Sequence, residues 1–137
     1  MSGELFVDTS GWYAIAVVDE PAHGAAAAAL RERLADGARL VTTNLVVAET
    51  HALLLRRTGR EPALQFVRAV RAAPNLVVPS DPELEARAVG EWLEPFRDQR
   101  FSYTDAVSFS VMKDRRIRDA LALDRHFQVA GFGVVPG

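Results

Sequence analysis

Short, continuous apolar runs alternate along this chain with longer stretches in which apolar residues recur every three or four positions. Glu4-Leu5-Phe6-Val7 is the first run, and Asp8-Thr9-Ser10-Gly11 after it has the makeup of a helix start. An alanine-rich helix is predicted over about His23 to Leu34, closed by Asp36-Gly37, and Arg39-Leu40-Val41-Thr42-Thr43 reads as a second strand. Asn44 caps a helix through Arg57 that Gly59 ends. Glu61 to Ala72 forms the next helix, stopped by Pro74, and Asn75-Leu76-Val77-Val78 is the third strand candidate. Asp81 with Pro82 opens a helix to about Phe96, and Ser102 or Tyr103 opens another reaching Arg115. Asp119-Ala120-Leu121-Ala122-Leu123 is a fourth strand ending at Asp124, and Phe132-Gly133-Val134-Val135 a fifth.

Strands that are short, continuously apolar and separated by helices imply an α/β fold with a mostly parallel sheet covered on both faces. In such folds ligands gather beyond the carboxyl ends of the strands. The residues just after each strand are therefore where a site is to be sought.

The 137 residues, with 49% hydrophobic and 25% charged, describe one globular domain spanning 1–137. No run approaches the roughly 18 apolar residues of a membrane span, and the start lacks the basic residues of a secretory signal, so no membrane association and a cytoplasmic location are expected. The absence of cysteine excludes disulfides and thiolate metal sites. A net charge of −2 argues against a general polyanion-coating protein. It leaves RNA open as a substrate, because a cation held by acids brings its own positive charge.

Four acids look misplaced. Asp8 closes the first strand and Asp124 the fourth, each equally suited to a helix cap or turn. Glu49 has Leu45, Val46, Ala52 and Leu53 at three and four positions along its helix. A carboxylate there is costly to desolvate unless coordinated or, alternatively, paired with an arginine. Asp105 sits among Phe101, Ser102, Ser108 and Phe109, although a first-turn acid also satisfies the helix dipole. Glu83, Glu85, Glu91 and Glu94 read instead as a solvated helix surface, and Asp114 and Asp119 as exposed acids beside a basic stretch. Four carboxylates in one site would raise each other's pKa, and a hard divalent ion, Mg²⁺ or alternatively Mn²⁺, resolves the repulsion.

At Phe6-Val7-Asp8-Thr9-Ser10, Val47-Ala48-Glu49-Thr50, Tyr103-Thr104-Asp105-Ala106 and Leu123-Asp124-Arg125-His126-Phe127 the chain resembles the PIN-domain family, and within it the VapC-type toxins of toxin–antitoxin pairs. Their order and spacing cover essentially the whole sequence. The resemblance implies a three-layer α/β/α fold around a four- to five-stranded, mostly parallel sheet. It implies a metal-dependent endoribonuclease with Asp8, Glu49, Asp105 and Asp124 as its acidic pocket, a cognate antitoxin as partner, and a homodimer. Relatives usually cut single-stranded regions of structured RNAs. One departure is visible: Ala122 stands where many relatives have Thr or Ser two positions before the fourth acid.

Within that pocket Asp8 and Asp105 are expected as direct metal ligands. Glu49 and Asp124 are expected to position water or a second ion, and Ser10 to orient a ligand by a hydrogen bond. Arg125 is the candidate phosphate contact. His51 points away from Glu49, His126 reads as a surface histidine, and Trp12 and Tyr13 as core or dimer packing rather than base-stacking groups. A dehalogenase-like phosphatase would need an aspartate where Ser10 stands, and a receiver domain a late lysine outside a helix, unlike Lys113. The non-enzymatic alternative is a catalytically silent PIN-like module that binds protein or RNA, which metal titration would distinguish.

Overall fold

The computed structural model describes residues 3–137. Five strands, β1 (Glu4–Val7), β2 (Arg39–Thr43), β3 (Leu76–Val78), β4 (Asp119–Leu121) and β5 (Gly133–Val135), form one sheet in the order β3-β2-β1-β4-β5. Every pairing is parallel, with Phe6 opposite Val41 on one side and Ala120 on the other. Leu5, Phe6 and Val7 are fully buried because this central strand is covered on both faces, which explains why it reads as an unbroken apolar run. The chain steps outward from β1 to β3, then returns to the other side of β1 for β4 and β5. The order in which strands are added therefore reverses between β1 and β4, and Asp8 and Asp124 follow those two strands at their carboxyl ends.

The helices fall into two packed groups. Of helices α1 (Thr9–Ala16), α2 (His23–Ala35), α3 (Asn44–Arg57) and α4 (Arg60–Val70), α1 packs on α2 and α3, α3 packs on α4, and Trp12 meets Phe66 edge-on between α1 and α4. Helix α5 (Pro82–Ala88), a π-helical turn (Val89–Leu93), α6 (Tyr103–Arg115) and α7 (His126–Val129) form the second group. Its core is aromatic: Phe109 contacts Trp92, Phe101, Phe127 and Phe132, and Phe127 reaches Phe6 on β1. The fully buried rings of Phe6, Phe109 and Phe127 each contribute roughly 1.5–3 kcal/mol by burial alone. Among the described residues no helix is long and apolar enough to cross a membrane.

Several local expectations need correction. Thr43, not Asn44, caps α3, its hydroxyl accepting from Val46 N–H, while the Asn44 side chain accepts from Ser80 N–H on the next connection. The helix expected from Asp81 to Phe96 divides into α5 and the π turn, which places Trp92 in the aromatic cluster. Strand β4 stops at Leu121, and the four-residue α7 was not anticipated from the pattern. Trp12 is core, as expected, and Tyr13 is half-buried with the Arg57 guanidinium 5.5 Å from its ring centroid.

Helix α1 lies unusually close to the sheet at Gly11. A Cβ there would stand 2.6 Å from Leu121 Cδ2 and closer still to the Leu121 carbonyl oxygen, so backbone would have to move. Gly11→Ala is expected to destabilise the protein by about 1–3 kcal/mol, as overpacking does. The shift of the urea midpoint measures it, and an unchanged midpoint would refute the close packing of α1 on β4.

Candidate active site

Asp8 is fixed by the backbone before its side chain does anything. Its N–H donates to Leu121 O on β4 at 3.1 Å, and its carbonyl accepts from Trp12 N–H at 2.9 Å in the first turn of α1. Beside it, the buried Thr42 hydroxyl donates to Val7 O at 2.9 Å and lies 3.4 Å from the Trp12 indole nitrogen. Asp8 occupies the N-cap position of α1 with extended dihedrals, yet its carboxylate makes no capping bond. The helix-cap explanation of this residue is thereby removed.

The Asp8 carboxylate is 3% exposed. Burial first, then the neighbouring charges of Asp124 and Asp105, push its pKa up to about 7, against partial relief from the Thr9 amide and the Ser10 hydroxyl. The Ser10 hydroxyl donates to Asp8 Oδ2 at 3.1 Å and accepts from Leu123 N–H at 2.9 Å, joining the loops after β1 and β4. A hydroxyl bridge thus exists near the position where Ala122 departs from the relatives.

Asp105 is the third residue of α6 and closes a reciprocal capping box with Ser102. It is buried, and its Oδ2 lies 2.9 Å from His126 Nδ1. Asp124 lies exposed at the mouth; desolvation by the surrounding protein is the main cause raising its pKa, the nearby Asp105 charge adds to this, and the His126 amide works against it. Donor atoms of Asp105, Asp124 and His126 all fall within 4.8 Å of one another.

Glu49 is corrected in its setting. It is exposed, because the buried stripe of α3 runs through Val46, Val47, Thr50 and Leu54 rather than along Leu45, Ala52 and Leu53. Thr50 is fully buried, with no partner for its hydroxyl among the described residues. No arginine pairs with Glu49 among the described residues. Thr9 holds it instead: its hydroxyl donates to Glu49 Oε1 at 2.6 Å and so ties α3 to the end of β1.

Sequence reasoning missed Thr9 and His126. The signal for Thr9 was its place directly after Asp8; for His126 it was the buried Phe127 beside it, which anchors α7 and turns the preceding residue toward Asp105. Arg125 is exposed at the start of α7 and, among the described residues, has no carboxylate at ion-pair distance.

Ion pairing does not by itself single out the pocket, since Asp19, Glu20, Glu83 and other acids outside it also have no arginine or lysine at ion-pair distance among the described residues. Glu4, Glu61, Glu91, Asp114 and Asp119 each have an arginine or lysine at ion-pair distance. Asp8, Glu49, Asp105 and Asp124 have none among the described residues. A buried carboxylate beside two others, with a histidine and no arginine or lysine next to them among the described residues, is a donor set suited to a divalent cation.

A parallel α/β/α sheet with unpaired acids at the carboxyl ends of its two central strands defines a class, and the chain belongs to it: it is a member of the PIN domain family, whose model matches residues 5–133. It is 36% identical over 128 residues to the 23S rRNA-specific endonuclease VapC20 of Mycobacterium tuberculosis, in both strains CDC 1551 and H37Rv, covering 93% of this chain and 95% of the relative. The crystal structure of Mycobacterium tuberculosis VapC20, a Sarcin-Ricin loop cleaving toxin, superposes with a TM-score of 0.83 at 34% identity, over 94% of this chain and 96% of that one.

The raised Asp8 pKa carries a pH consequence. Between about pH 4 and 7 the folded state keeps a proton that the unfolded chain has released, so stability of the metal-free protein falls as pH rises through that window. The loss is on the order of 4 kcal/mol at most. Asp8→Asn removes it, and should raise the melting temperature in chelator near pH 8 while changing little near pH 4. An equal effect at both ends would show that Asp8 does not carry this strain.

Proposed function

We propose that this chain is a Mg²⁺- or Mn²⁺-dependent endoribonuclease, the toxin of a toxin–antitoxin pair, acting on ribosomal RNA. The observation that carries the reading is a buried Asp8 carboxylate that feels the charges of Asp105 and Asp124, together with ligand atoms of Asp105, Asp124 and His126 within 4.8 Å of one another and, among the described residues, no arginine or lysine at ion-pair distance from the three acids. Likeness to VapC20 over nearly the whole of both chains supports RNA as the substrate and 23S rRNA as the first molecule to test. A cognate antitoxin that covers the pocket with basic and hydrophobic side chains, a homodimer, and a cytoplasmic location belong to the same proposal.

Asp8, Asp105 and Asp124 would hold the cation through carboxylate oxygens, and a divalent cation bound there would acidify a neighbouring water and neutralise charge that grows on the phosphate. Glu49, kept at the rim by Thr9, orients the attacking water, and Ser10 keeps Asp8 turned to the cation. Arg125, with no carboxylate partner among the described residues, contacts a phosphate of the RNA. The water oxygen bonds to phosphorus as the bond to the 3′-oxygen breaks, leaving a 5′-phosphate and a 3′-hydroxyl.

Asp105→Asn is expected to lower cleavage of 23S rRNA by at least about 100-fold, the scale set by loss of electrostatic stabilisation in a catalytic site. Circular dichroism should remain that of the wild type. Primer extension on 23S rRNA incubated with and without Mg²⁺ reads the cut, expected in the sarcin–ricin loop. Full Mg²⁺-dependent cleavage by the variant would remove this mechanism.

A further inference from the structure

One residue touches both carboxylates at the mouth of the pocket. The His126 ring nitrogen Nδ1 lies 2.9 Å from Asp105 Oδ2, an oxygen that also accepts from Ser102 N–H at 3.0 Å. The His126 backbone N–H donates to Asp124 Oδ1 at 3.0 Å. An ionised carboxylate only accepts, so the ring must present its hydrogen on Nδ1. Asp105 Oδ2 then accepts two hydrogen bonds and, among the described residues, Oδ1 accepts none; on Asp124, Oδ1 accepts one and Oδ2 none. Phe101 backs the imidazole in a T-shaped contact at 5.5 Å, and the fully buried Phe127 next in sequence pins α7. A surface histidine that merely began a short helix would need neither the ring contact to Asp105 nor the aromatic backing.

We propose that His126 is a positioning residue that holds Asp105 and Asp124 so that one oxygen of each is presented to the cation. The inference rests on the metal-site reading above and extends it to a residue outside the four acids. His126→Ala keeps the backbone bond to Asp124 and loses the ring bond to Asp105, so Mn²⁺ affinity, read from the electron paramagnetic resonance signal of free Mn²⁺ during titration, should fall about 10- to 100-fold, the scale of losing a ligand-orienting partner. His126→Asn places an amide N–H where Nδ1 stood and should bring affinity back to within about threefold of wild type. In the metal-free protein, nitrogen-15 shifts of His126 should report hydrogen on Nδ1. An Mn²⁺ affinity in His126→Ala equal to that of wild type, or hydrogen on Nε2 alone, would overturn the proposal while leaving the metal site standing. A wild-type protein that binds no Mn²⁺ would overturn both. If the alanine variant does not fold, the asparagine variant and the ring tautomer decide the matter.

Discussion

Carboxylates brought within reach of one another in a dry setting repel, and the protein answers that repulsion with geometry rather than with basic side chains. Asp8 is almost wholly removed from water, feels the charges of both Asp124 and Asp105, and has only the Thr9 amide and a serine hydroxyl to offset them. Elsewhere the same chain handles its acids in the ordinary way: Glu4 is gripped by Arg39 and Arg115, and its pKa is lowered. The difference between the two ends of the sheet is a choice of partners, and it makes the carboxyl end a place that a cation stabilises.

The fold can sustain that unfavourable cluster because its members are anchored independently of their charges. Asp8 is held by a backbone bond to β4, Asp105 by its capping box, and Asp124 by the short helix that Phe127 nails into the aromatic core. Glu49 reaches in from α3 through Thr9. Each anchor belongs to a different element, and the hydrophobic core that joins those elements supplies the energy to keep them together. Family membership and the likeness to VapC20 agree with the fold over the whole sheet.

Much of the fold was legible because buried parallel strands and covering helices impose different apolar periods on a sequence. All five strands fell where the continuous runs stood, while the order β3-β2-β1-β4-β5, which sets β4 beside β1, came from the structure. Glu49 shows where the reading failed. Its apolar neighbours along α3 suggested burial, but which of several adjacent apolar stripes faces the core depends on how α3 packs against α1 and α4, and that rotation left Glu49 exposed and Thr50 buried.

The sequence by itself determined the α/β class, the mostly parallel sheet and the strand ends where a site was to be sought, because the periods of buried strands and covering helices are local properties. Only the tertiary structure decided which atoms face which. That Asp8 does not cap its helix, that Thr9 serves Glu49, and that His126 serves Asp105 and Asp124 are contacts between segments far apart in the chain or differently oriented on it. Hydrogen bonds are set by direction and by distances of about 3 Å, and no linear spacing encodes those until the core has fixed every element in place.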